Sequence, residues 1–578
     1  MLCDFVKELG RLRMSSGDSI DDAKSFGPLQ KYLHVDRLIE QDLRKLIHCI
    51  NADGRKTLLL LCGSSGDGKS HYLSCLEDGT PSLLDNFKAY NDAAESDRKD
   101  RTPSQTLSDR LSGFRDDELD KPGRNMIVAI NLGILSNFIE SDERKKFTKL
   151  AAYVEEKNIL IGRIGDAIYE PDSPFQFISF GDYNLFSLTE QGIETDYLDQ
   201  LLSRIFDKSS KNPFYQAYCQ SGDGCPNRKR CPIRHNFEML SDKTIQSNIS
   251  KIICEVIIKD KSMVSTREVF NLIYDILVHP AFNRNDLCET VDSNFLNMYI
   301  QYSLPMLIYD YRDRSALIDG IHKLDILKER TQALDEFAIQ FNVAENIEPV
   351  IQKYTSDTPY GEVLFDYGLN CHTKTKSKEL KSKAFRMMTR LQRLRDKNAF
   401  DSSPVYSLYL KNLYWYNSGQ KEKLYDLYQL VSRCVFDWKG KLDDRHICIN
   451  NEDDTVLLYE RLEITPYIDD CPASGQKTLE KFVSCLTVGF ADNGGKSDPV
   501  YLDIDYSLFK LLHEIKHGYS PTAQDRNLHA DFHSFVDSLT LLGNASDEIM
   551  LVDTQMSRDN VYVFRKNTFG YEFKLHSN

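Results

Sequence analysis

The chain has 578 residues, more than a single hydrophobic core usually organises, so we expect several domains. Apolar residues make up 41% of it and charged residues 28%, as in soluble globular proteins, and no apolar run approaches the roughly 20 residues of a membrane-spanning helix. The formal net charge of −15 argues against attraction of nucleic acid to the whole surface, so DNA contact requires a local basic patch or a partner. Fourteen cysteines do not indicate a disulfide scaffold at this length, and the N-terminus lacks a signal-peptide pattern, so we expect a cytoplasmic protein.

The first informative stretch is an apolar strand followed by a glycine-rich turn. Residues 31–49 predict an amphipathic helix, and residues 58–62, four leucines and a cysteine, predict a buried parallel strand. The turn has the full phosphate-loop pattern, Gly-x4-Gly-Lys-Ser. In this pattern backbone N–H groups surround a phosphate, Lys69 reaches the β- and γ-phosphates of ATP, and the Ser70 hydroxyl holds Mg²⁺. The residues predicted to hold the nucleotide are Gly63, Ser64, Ser65, Gly66, Asp67, Gly68, Lys69, Ser70 and His71.

Strands and helices alternate after this turn. Residues 87–92, 126–131 and 175–180 predict strands, and residues 104–114 and 141–157 predict helices between them. Such alternation predicts a three-layer α/β domain with a mostly parallel sheet. With the phosphate loop after the first strand, this is the pattern of a P-loop NTPase domain.

A nucleotide hydrolase also needs an acid that holds Mg²⁺ or orients water, and the sequence leaves this residue open. The clearest strand ends in Asn131, which is either a degenerate Mg²⁺ position or the polar residue that senses the γ-phosphate in ring-type ATPases. In the second case Asp92, after an earlier strand, is the candidate acid for Mg²⁺, and this is the assignment we favour. A third interpretation, in which Asn131 only caps its strand, stays open.

Residues 190–290 are mostly helical in pattern and contain a candidate lid. Within them, residues 264–273 place a hydroxyl cap and then an arginine in the first turn of an apolar helix. This stretch resembles the helical lid of AAA+-type ATPases, in which such an arginine reaches the γ-phosphate, and Arg267 is the candidate. A surface arginine at the start of a helix is the alternative.

A cysteine-rich segment lies inside the same region. It reads Cys219-x5-Cys225-x5-Cys231-x3-His235, with a glycine and two prolines that favour turns. Three thiols and an imidazole are the soft ligands that a tetrahedral Zn²⁺ prefers, and the spacing matches zinc knuckles with three cysteines and one histidine. We therefore predict a structural zinc site. A chance cluster of thiols, a different fourth ligand and an iron–sulfur cluster are the alternatives.

A basic helix interrupts the acidic composition between residues 374 and 397. The five basic residues that share one predicted face of this helix are Lys383, Arg386, Arg390, Arg393 and Lys397. Such a face can follow a double-stranded DNA backbone through contacts that do not depend on base sequence. The alternatives are a solvated face, or a face that docks on an acidic surface of this chain or of a partner.

These patterns predict four segments and a mixed architecture. We expect a helical segment over 1–55, a P-loop NTPase domain of AAA+-like type with its lid over 56–290, a helical domain over 291–400 and an α+β module over 401–578. The cysteine-rich insertion spans about 213–240. Residues 560–575 alternate as a terminal hairpin of the last module.

The chain resembles the DptF family of DNA phosphorothioation-dependent restriction proteins over nearly its whole length. The resemblance is carried by residues 32–37 (Tyr-Leu-His-Val-Asp-Arg), 63–71 (the phosphate loop and His71), 91–96, 129–135, 231–233 and 502–508. One departure lies beside Asn131, where the family leads us to expect an acid and this chain has Leu132.

The resemblance implies a bacterial defence ATPase. Such a protein acts with DptG and DptH partners to restrict DNA that lacks the sulfur-for-oxygen backbone modification, with ATP hydrolysis driving complex assembly or DNA engagement. An oligomeric assembly stays open, and no nuclease motif is recognisable. The alternative, from another class, is a nucleotide-binding switch or scaffold that hydrolyses ATP poorly and does not contact DNA directly.

Overall fold

The computed structural model of the protein describes most of the chain, in ranges separated by short gaps. The described residues are 3–14, 27–78, 82–91, 102–160, 169–222, 225–282, 293–344, 348–366, 377–396, 404–450, 455–468, 476–492, 498–542, 548–555 and 561–575. Among these residues, no helix is both long enough and apolar enough to cross a bilayer.

The chain divides into two compact units. The first comprises Met1–Ser187, Glu194–Ser402 and Glu480–Phe482, and the second comprises Leu188–Ile193, Ser403–Leu479 and Val483–Asn578. The predicted boundary at residue 401 lies beside the end of the first unit. The three segments predicted before it share that unit.

The first unit contains a small sheet and many helices. Its main strands are β1 (Leu58–Cys62), β2 (Phe87–Tyr90), β3 (Asn125–Ile130) and β4 (Phe175–Ser179). Its helices are α1 (Asp4–Met14), α2 (Pro28–Leu33), α3 (Leu38–Asp53), α4 (Lys69–Glu77), α5 (Pro103–Arg110), α6 (Leu132–Glu140), α7 (Thr148–Glu156), α8 (Asp196–Phe206), α9 (Pro213–Gly222), α10 (Pro232–Leu240), α11 (Lys243–Asp260), α12 (Thr266–Leu277), α13 (Ser293–Gln301), α14 (Leu304–Asp310), α15 (Ala316–Lys323), α16 (Gln332–Val343), α17 (Glu348–Thr355), α18 (Pro359–Asp366) and α19 (Ser377–Arg395). A short hairpin, β5 (Ser187–Thr189) and β6 (Gly192–Glu194), follows the sheet in sequence, and its residues Leu188–Ile193 belong to the second unit.

The four main strands form one parallel sheet in the order β2-β3-β1-β4. The strand β1 is central, with Leu60 paired to Val128 of β3 on one side and to Phe177 of β4 on the other. All five residues of β1 are buried, because helices cover both faces of a parallel sheet. The prediction of an α/β domain with a parallel sheet is confirmed.

The two faces of β1 serve two different cores. Leu59 and Leu61 pack with α3 and α4, whereas Leu58, Leu60 and Cys62 pack with α5, α6 and α7. This division follows from the two-residue period of a strand, which points successive side chains to opposite faces. The sheet is therefore the middle layer of three.

Beyond the sheet, helices α8 to α19 form a helical region around buried polar contacts. The fully buried Asn236 on α10 donates to the carbonyls of Leu277 and Tyr302, and its amide oxygen accepts from Leu304 N and the Tyr360 hydroxyl, both at 2.8 Å. One side chain thus joins four chain segments. A buried amide with its donors and acceptor satisfied stabilises a single arrangement of these helices.

The second unit combines helices with antiparallel sheets. Its helices are α20 (Val405–Asn417), α21 (Tyr425–Lys439), α22 (Tyr506–Lys516), α23 (Ala523–Leu528) and α24 (Ala530–Leu542). Its strands are β7 (His446–Cys448), β8 (Val456–Arg461), β9 (Ile464–Tyr467), β10 (Leu486–Asp492), β11 (Val500–Ile504), β12 (Glu548–Asp553), β13 (Val561–Asn567) and β14 (Gly570–Leu575). The sheet orders are β11-β10-β9 and β14-β13-β12-β8-β7, and the predicted terminal hairpin is β13–β14.

Candidate functional site

The phosphate-loop sequence lies at the carboxyl end of the central strand. Gly63 follows β1 directly, and its N–H donates to the carbonyl of Ile130, the last residue of β3, at 3.2 Å. The helix after β1, α4, lies on one face of the sheet, whereas the helix after β3, α6, lies on the other. Two adjacent parallel strands whose connections leave to opposite faces create a crevice where ligands of α/β proteins bind.

Two glycines give the loop its shape. Gly66 has φ of +90° and Gly68, which precedes the first residue of α4, has φ of +95°. Residues with a Cβ rarely adopt this left-handed conformation. The glycines therefore allow the chain to turn sharply from β1 into the N-terminus of α4, the end of a helix that favours anions.

Lys69 and Asp67 turn back into this loop. The Lys69 ammonium donates to the carbonyls of Gly63 at 3.0 Å and Ser64 at 2.5 Å. The Asp67 carboxylate accepts from the backbone N–H of Ser64 at 2.5 Å, and burial raises the pKa of this carboxyl although Lys69 acts to lower it. The loop thus contains one cationic and one anionic side chain, and both contact the loop's own backbone.

The start of α12 lies against the same loop. Ser265 and Glu268 form a reciprocal capping box, in which Ser265 N donates to the Glu268 carboxylate at 2.7 Å. A Cβ at Gly66 would lie 3.0 Å from the Ser265 hydroxyl and 3.1 Å from Arg267 Cβ. The structure therefore brings Arg267, the predicted lid arginine, next to Gly66 of the phosphate loop, although the two residues are far apart in sequence.

The structure places Asn131 beside the loop and gives it a local role. Asn131 follows β3 and caps α6, where its amide oxygen accepts from Gly133 N at 2.8 Å. Such a cap satisfies one of the N–H groups that the first turn of a helix leaves without a partner. Asp92, the candidate acid for Mg²⁺, lies outside the described residues.

A buried acid near this edge of the sheet was not singled out from the sequence. Asp182 follows β4, is 7% exposed, and contacts the Ser179 side chain. Burial raises the pKa of Asp182 to about 6, against the opposing effect of Lys481. The signal available in the sequence was an acid directly after the last parallel strand, where carboxyl ends of strands meet ligands.

A second polar cluster lies next to the loop helix, and sequence reasoning missed it. Its members are His34, between α2 and α3, Glu40 in the first turn of α3, and Cys75 on α4. Hydrogen bonds to Cys75 and Glu40 raise the pKa of His34 to about 10. Burial would raise the pKa of Glu40, but hydrogen bonds from His34 and Arg44 hold it below its ordinary value. The residues are too far apart in sequence to form a local motif.

The predicted zinc ligands of the cysteine-rich segment do not converge. Cys219 on α9 is exposed, burial raises the pKa of Cys231 to about 11, and His235 is buried with Nδ1 2.5 Å from the Tyr299 hydroxyl. Among the described residues, no three of Cys219, Cys225, Cys231 and His235 bring ligand atoms within 4.8 Å of one another. Zinc at this segment stays a prediction that the geometry does not support.

The basic face predicted for DNA lies largely inside the helical region. Arg390 is 1% exposed and pairs with Asp325 at 2.5 Å and Asp310 at 2.7 Å. Arg393 is buried too, Arg386 pairs with Asp310 and Lys383 donates to Asn297, whereas Lys397 lies outside the described residues. Of the alternatives given for this face, docking on acidic groups of the same chain is the one that Arg386 and Arg390 show, and DNA contact through α19 stays a prediction.

No family model, curated protein or solved structure matches the chain. The phosphate loop, the start of α12 and the end of β3 are the parts that the structure brings together.

Proposed function

We propose that the loop from Gly63 to Ser70 binds a nucleoside triphosphate, ATP, together with Mg²⁺. The observation that carries the proposal is the position of a complete phosphate-loop pattern at the carboxyl end of a central parallel strand, between connections to opposite faces. Left-handed glycines at 66 and 68 give the loop the turn that a phosphate cradle needs. The N-terminus of α4 supports the same role.

In this proposal each residue near the loop has a role. Lys69 exchanges its two carbonyl partners for phosphate oxygens, and the Ser70 hydroxyl is a ligand of Mg²⁺. Arg267 is the candidate lid arginine for the γ-phosphate, a role supported by the position of its Cβ, which would lie 3.1 Å from a Cβ at Gly66. Asp92, which lies outside the described residues, is the candidate acid for Mg²⁺, and Asn131 is the candidate sensor of the γ-phosphate.

ATP hydrolysis is the first functional candidate, and a switch that binds ATP with slow hydrolysis is the second. Two observations favour the second candidate: the amide oxygen of Asn131 is engaged as a helix cap, and Leu132 stands where an acid was expected. The buried Asp182 near the same sheet edge is an additional acid that a hydrolytic site can use. The two candidates share the nucleotide site and differ in turnover.

We further propose that this ATPase serves in a bacterial DNA restriction complex that responds to phosphorothioation. The support is the resemblance to the DptF family, which also suggests DptG- and DptH-like partners. The net charge of −15 and the internal pairing of the α19 arginines favour DNA engagement through such partners. The whole chain then couples nucleotide state to assembly of the complex.

The test uses purified full-length protein and a fluorescent ATP analogue with Mg²⁺. Lys69→Ala is expected to weaken binding at least tenfold, whereas Lys45→Ala, an exposed lysine on α3, leaves it unchanged. Equal affinity in Lys69→Ala and in the unsubstituted protein would contradict the proposal. ATP turnover, measured with no DNA, with unmodified DNA and with phosphorothioated DNA, then separates the two functional candidates.

A further inference from the structure

The cluster of His34, Glu40 and Cys75 has the dimensions of a metal site. His34 Nε2 lies 3.3 Å from Glu40 Oε2 and 4.0 Å from Cys75 Sγ, and Cys75 Sγ lies 3.9 Å from Glu40 Oε1. Zinc bonds of about 2.0 Å to nitrogen and oxygen and 2.3 Å to sulfur imply tetrahedral edges of roughly 3.3 Å between N and O and roughly 3.5 Å to S. The N–O edge therefore fits, and the N–S edge is longer by about 0.5 Å. The 3.9 Å from sulfur runs to Oε1, the oxygen that Arg44 binds, and one ligand atom from each of the three residues lies within 4.8 Å of the others.

Burial sets this cluster apart from a surface group of acids. Glu40 is 4% exposed, and Arg44 binds its Oε1, whereas its buried Oε2 has His34 Nε2 beside it at 3.3 Å. A buried carboxylate oxygen is costly unless a donor or a cation faces it, and a bound metal ion can take the place of the His34 proton at Oε2.

The surrounding groups orient the three ligands. Arg44 donates to the other oxygen of Glu40, with Nε at 3.0 Å and Nη2 at 2.6 Å, which leaves Oε2 directed at the cluster. Nδ1 of His34 lies 3.0 Å from Nε2 of His71, so one of these nitrogens donates to the other. When His34 Nδ1 donates, its Nε2 keeps a lone pair for a metal, which is the arrangement of most histidine ligands.

The charges of the cluster also suit a divalent cation. When a metal binds, the Cys75 thiol and the His34 imidazolium each release a proton, so the Cys75 thiolate and the Glu40 and Asp36 carboxylates then outnumber the guanidinium of Arg44. The Asp36 Oδ1 lies 3.0 Å from His34 Nε2. Asp36 is exposed and can move by rotation of its side chain, so it or a water supplies the fourth ligand. One sulfur, one nitrogen and carboxylate oxygens are a zinc-class ligand set.

We propose that His34, Glu40 and Cys75 bind one Zn²⁺ and thereby join the start of α3 to α4. The ion is structural in this site, and it holds the helix whose first residues, Lys69 and Ser70, belong to the phosphate loop. His71 connects the two sites, because it follows Ser70 and contacts His34. The inference does not depend on nucleotide binding, since zinc binding is measured without nucleotide.

The experiment measures zinc per chain in purified full-length protein by plasma mass spectrometry after zinc loading and gel filtration. Cys75→Ser, which nearly preserves side-chain volume, and His34→Ala are each expected to lower the zinc content by about one equivalent. Cys49→Ser, an exposed cysteine on α3, is the matched control and retains the full content. The double variant Cys219→Ser/Cys231→Ser also retains this equivalent, which separates the site from the cysteine-rich segment.

Cobalt gives a second readout on unsubstituted protein. Co²⁺ bound at the cluster is expected to show a thiolate-to-cobalt charge-transfer band that disappears in Cys75→Ser and persists in Cys49→Ser. Zinc content in Cys75→Ser and His34→Ala equal to that of Cys49→Ser would overturn the proposal. Absence of any bound zinc or cobalt in the unsubstituted protein would overturn it too, and the cluster would then be an imidazolium–carboxylate pair.

Discussion

At the scale of single residues, the most informative feature is the anion inside the phosphate loop. The Asp67 carboxylate accepts from Ser64 N, one of the N–H groups that a phosphate is expected to use. A Cβ at Gly63 would lie 2.7 Å from the same carboxylate, so Asp67 extends over the loop rather than away from it. A phosphate group has to displace this side chain to reach the loop.

Asp67→Asn is therefore expected to strengthen ATP binding. The amide carries no charge to compete with phosphate, and its neutral hydrogen bond from Ser64 N is weaker by about 1 kcal/mol, which corresponds to a severalfold tighter Kd. Titration of purified variants with a fluorescent ATP analogue measures the change. Asp78→Asn, a partly exposed carboxylate at the end of α4, is the control with unchanged affinity. Equal or weaker binding by Asp67→Asn would show that the carboxylate does not compete with phosphate.

Asp182 predicts a specific pH dependence of stability. Its pKa is about 6 in the folded protein because of burial, whereas an unfolded aspartate ionises near pH 4. Between these values the unfolded state releases its proton first, so stability falls as pH rises, and the penalty is complete above pH 6. Asp182→Asn should remove this slope and be more stable than the unsubstituted protein by about 1–3 kcal/mol at pH 7.5. Urea unfolding at pH 4.5 and 7.5 measures it, and identical pH profiles would contradict it.

At the scale of secondary-structure elements, α19 shows how a basic helix becomes part of a core. Arg390 is surrounded by Asp310, Asp325 and the Tyr309 ring, whose centroid lies 5.1 Å from the guanidinium carbon. Arg386 shares Asp310 but is 40% exposed. Two arginines one helical turn apart thus occupy very different environments.

Arg390→Ala is expected to cost about 3–5 kcal/mol, because it leaves the buried Asp325 carboxylate without its cation. Arg386→Ala removes a partly exposed pair and is expected to cost less than about 1 kcal/mol. Urea unfolding of both full-length variants measures the difference. Similar costs for the two substitutions would mean that Arg390 is not the buried partner that the structure describes.

Two substitutions of Asn131 distinguish its role as the cap of α6 from its proposed role as the sensor of the γ-phosphate. Asn131→Ala removes the cap and is expected to cost about 1 kcal/mol, whereas Asn131→Asp keeps an acceptor for Gly133 N. The aspartate also places a negative charge beside the proposed γ-phosphate, so we expect at least tenfold slower ATP turnover with unchanged stability. Ser315→Ala, which removes the cap of α15, is the control that loses stability but not turnover. Unchanged turnover in Asn131→Asp would leave capping as the function of this residue.

At the scale of the whole molecule, nucleotide binding should raise the thermal stability of the full-length chain. A ligand at one hundred times its Kd stabilises the folded state by about 2.7 kcal/mol when the unfolded state does not bind it. We expect ATP with Mg²⁺ to raise the unfolding midpoint by a few degrees in the unsubstituted protein and not in Lys69→Ala. Differential scanning calorimetry measures both midpoints. An equal rise in the two proteins would indicate nucleotide binding elsewhere.

Local periodicity was enough to predict the parallel sheet and the loop, but not the contacts between distant segments. The apolar run of 58–62 and the glycine pattern after it are adjacent in sequence, so the strand and the turn could be predicted from local sequence alone. The aspartates that neutralise Arg390 are 65 and 80 residues away, and helical periodicity alone does not distinguish a buried charged face from a solvated one. The cluster of His34, Glu40 and Cys75 was missed for the same reason, because Cys75 lies 41 residues from His34.

The central strand β1 has a consequence for hydrogen exchange. Its backbone is paired on both sides, by β3 and by β4, and each helical layer packs on alternate residues of the same strand. Loss of one helical layer or one neighbouring strand therefore leaves the other partners in place. Its amides should exchange only when the sheet opens as a whole, among the slowest in the first unit. The phosphate loop then begins at β1, the strand whose amides are expected to be best protected from exchange. It ends on α4, a helix that packs on only one face of the sheet.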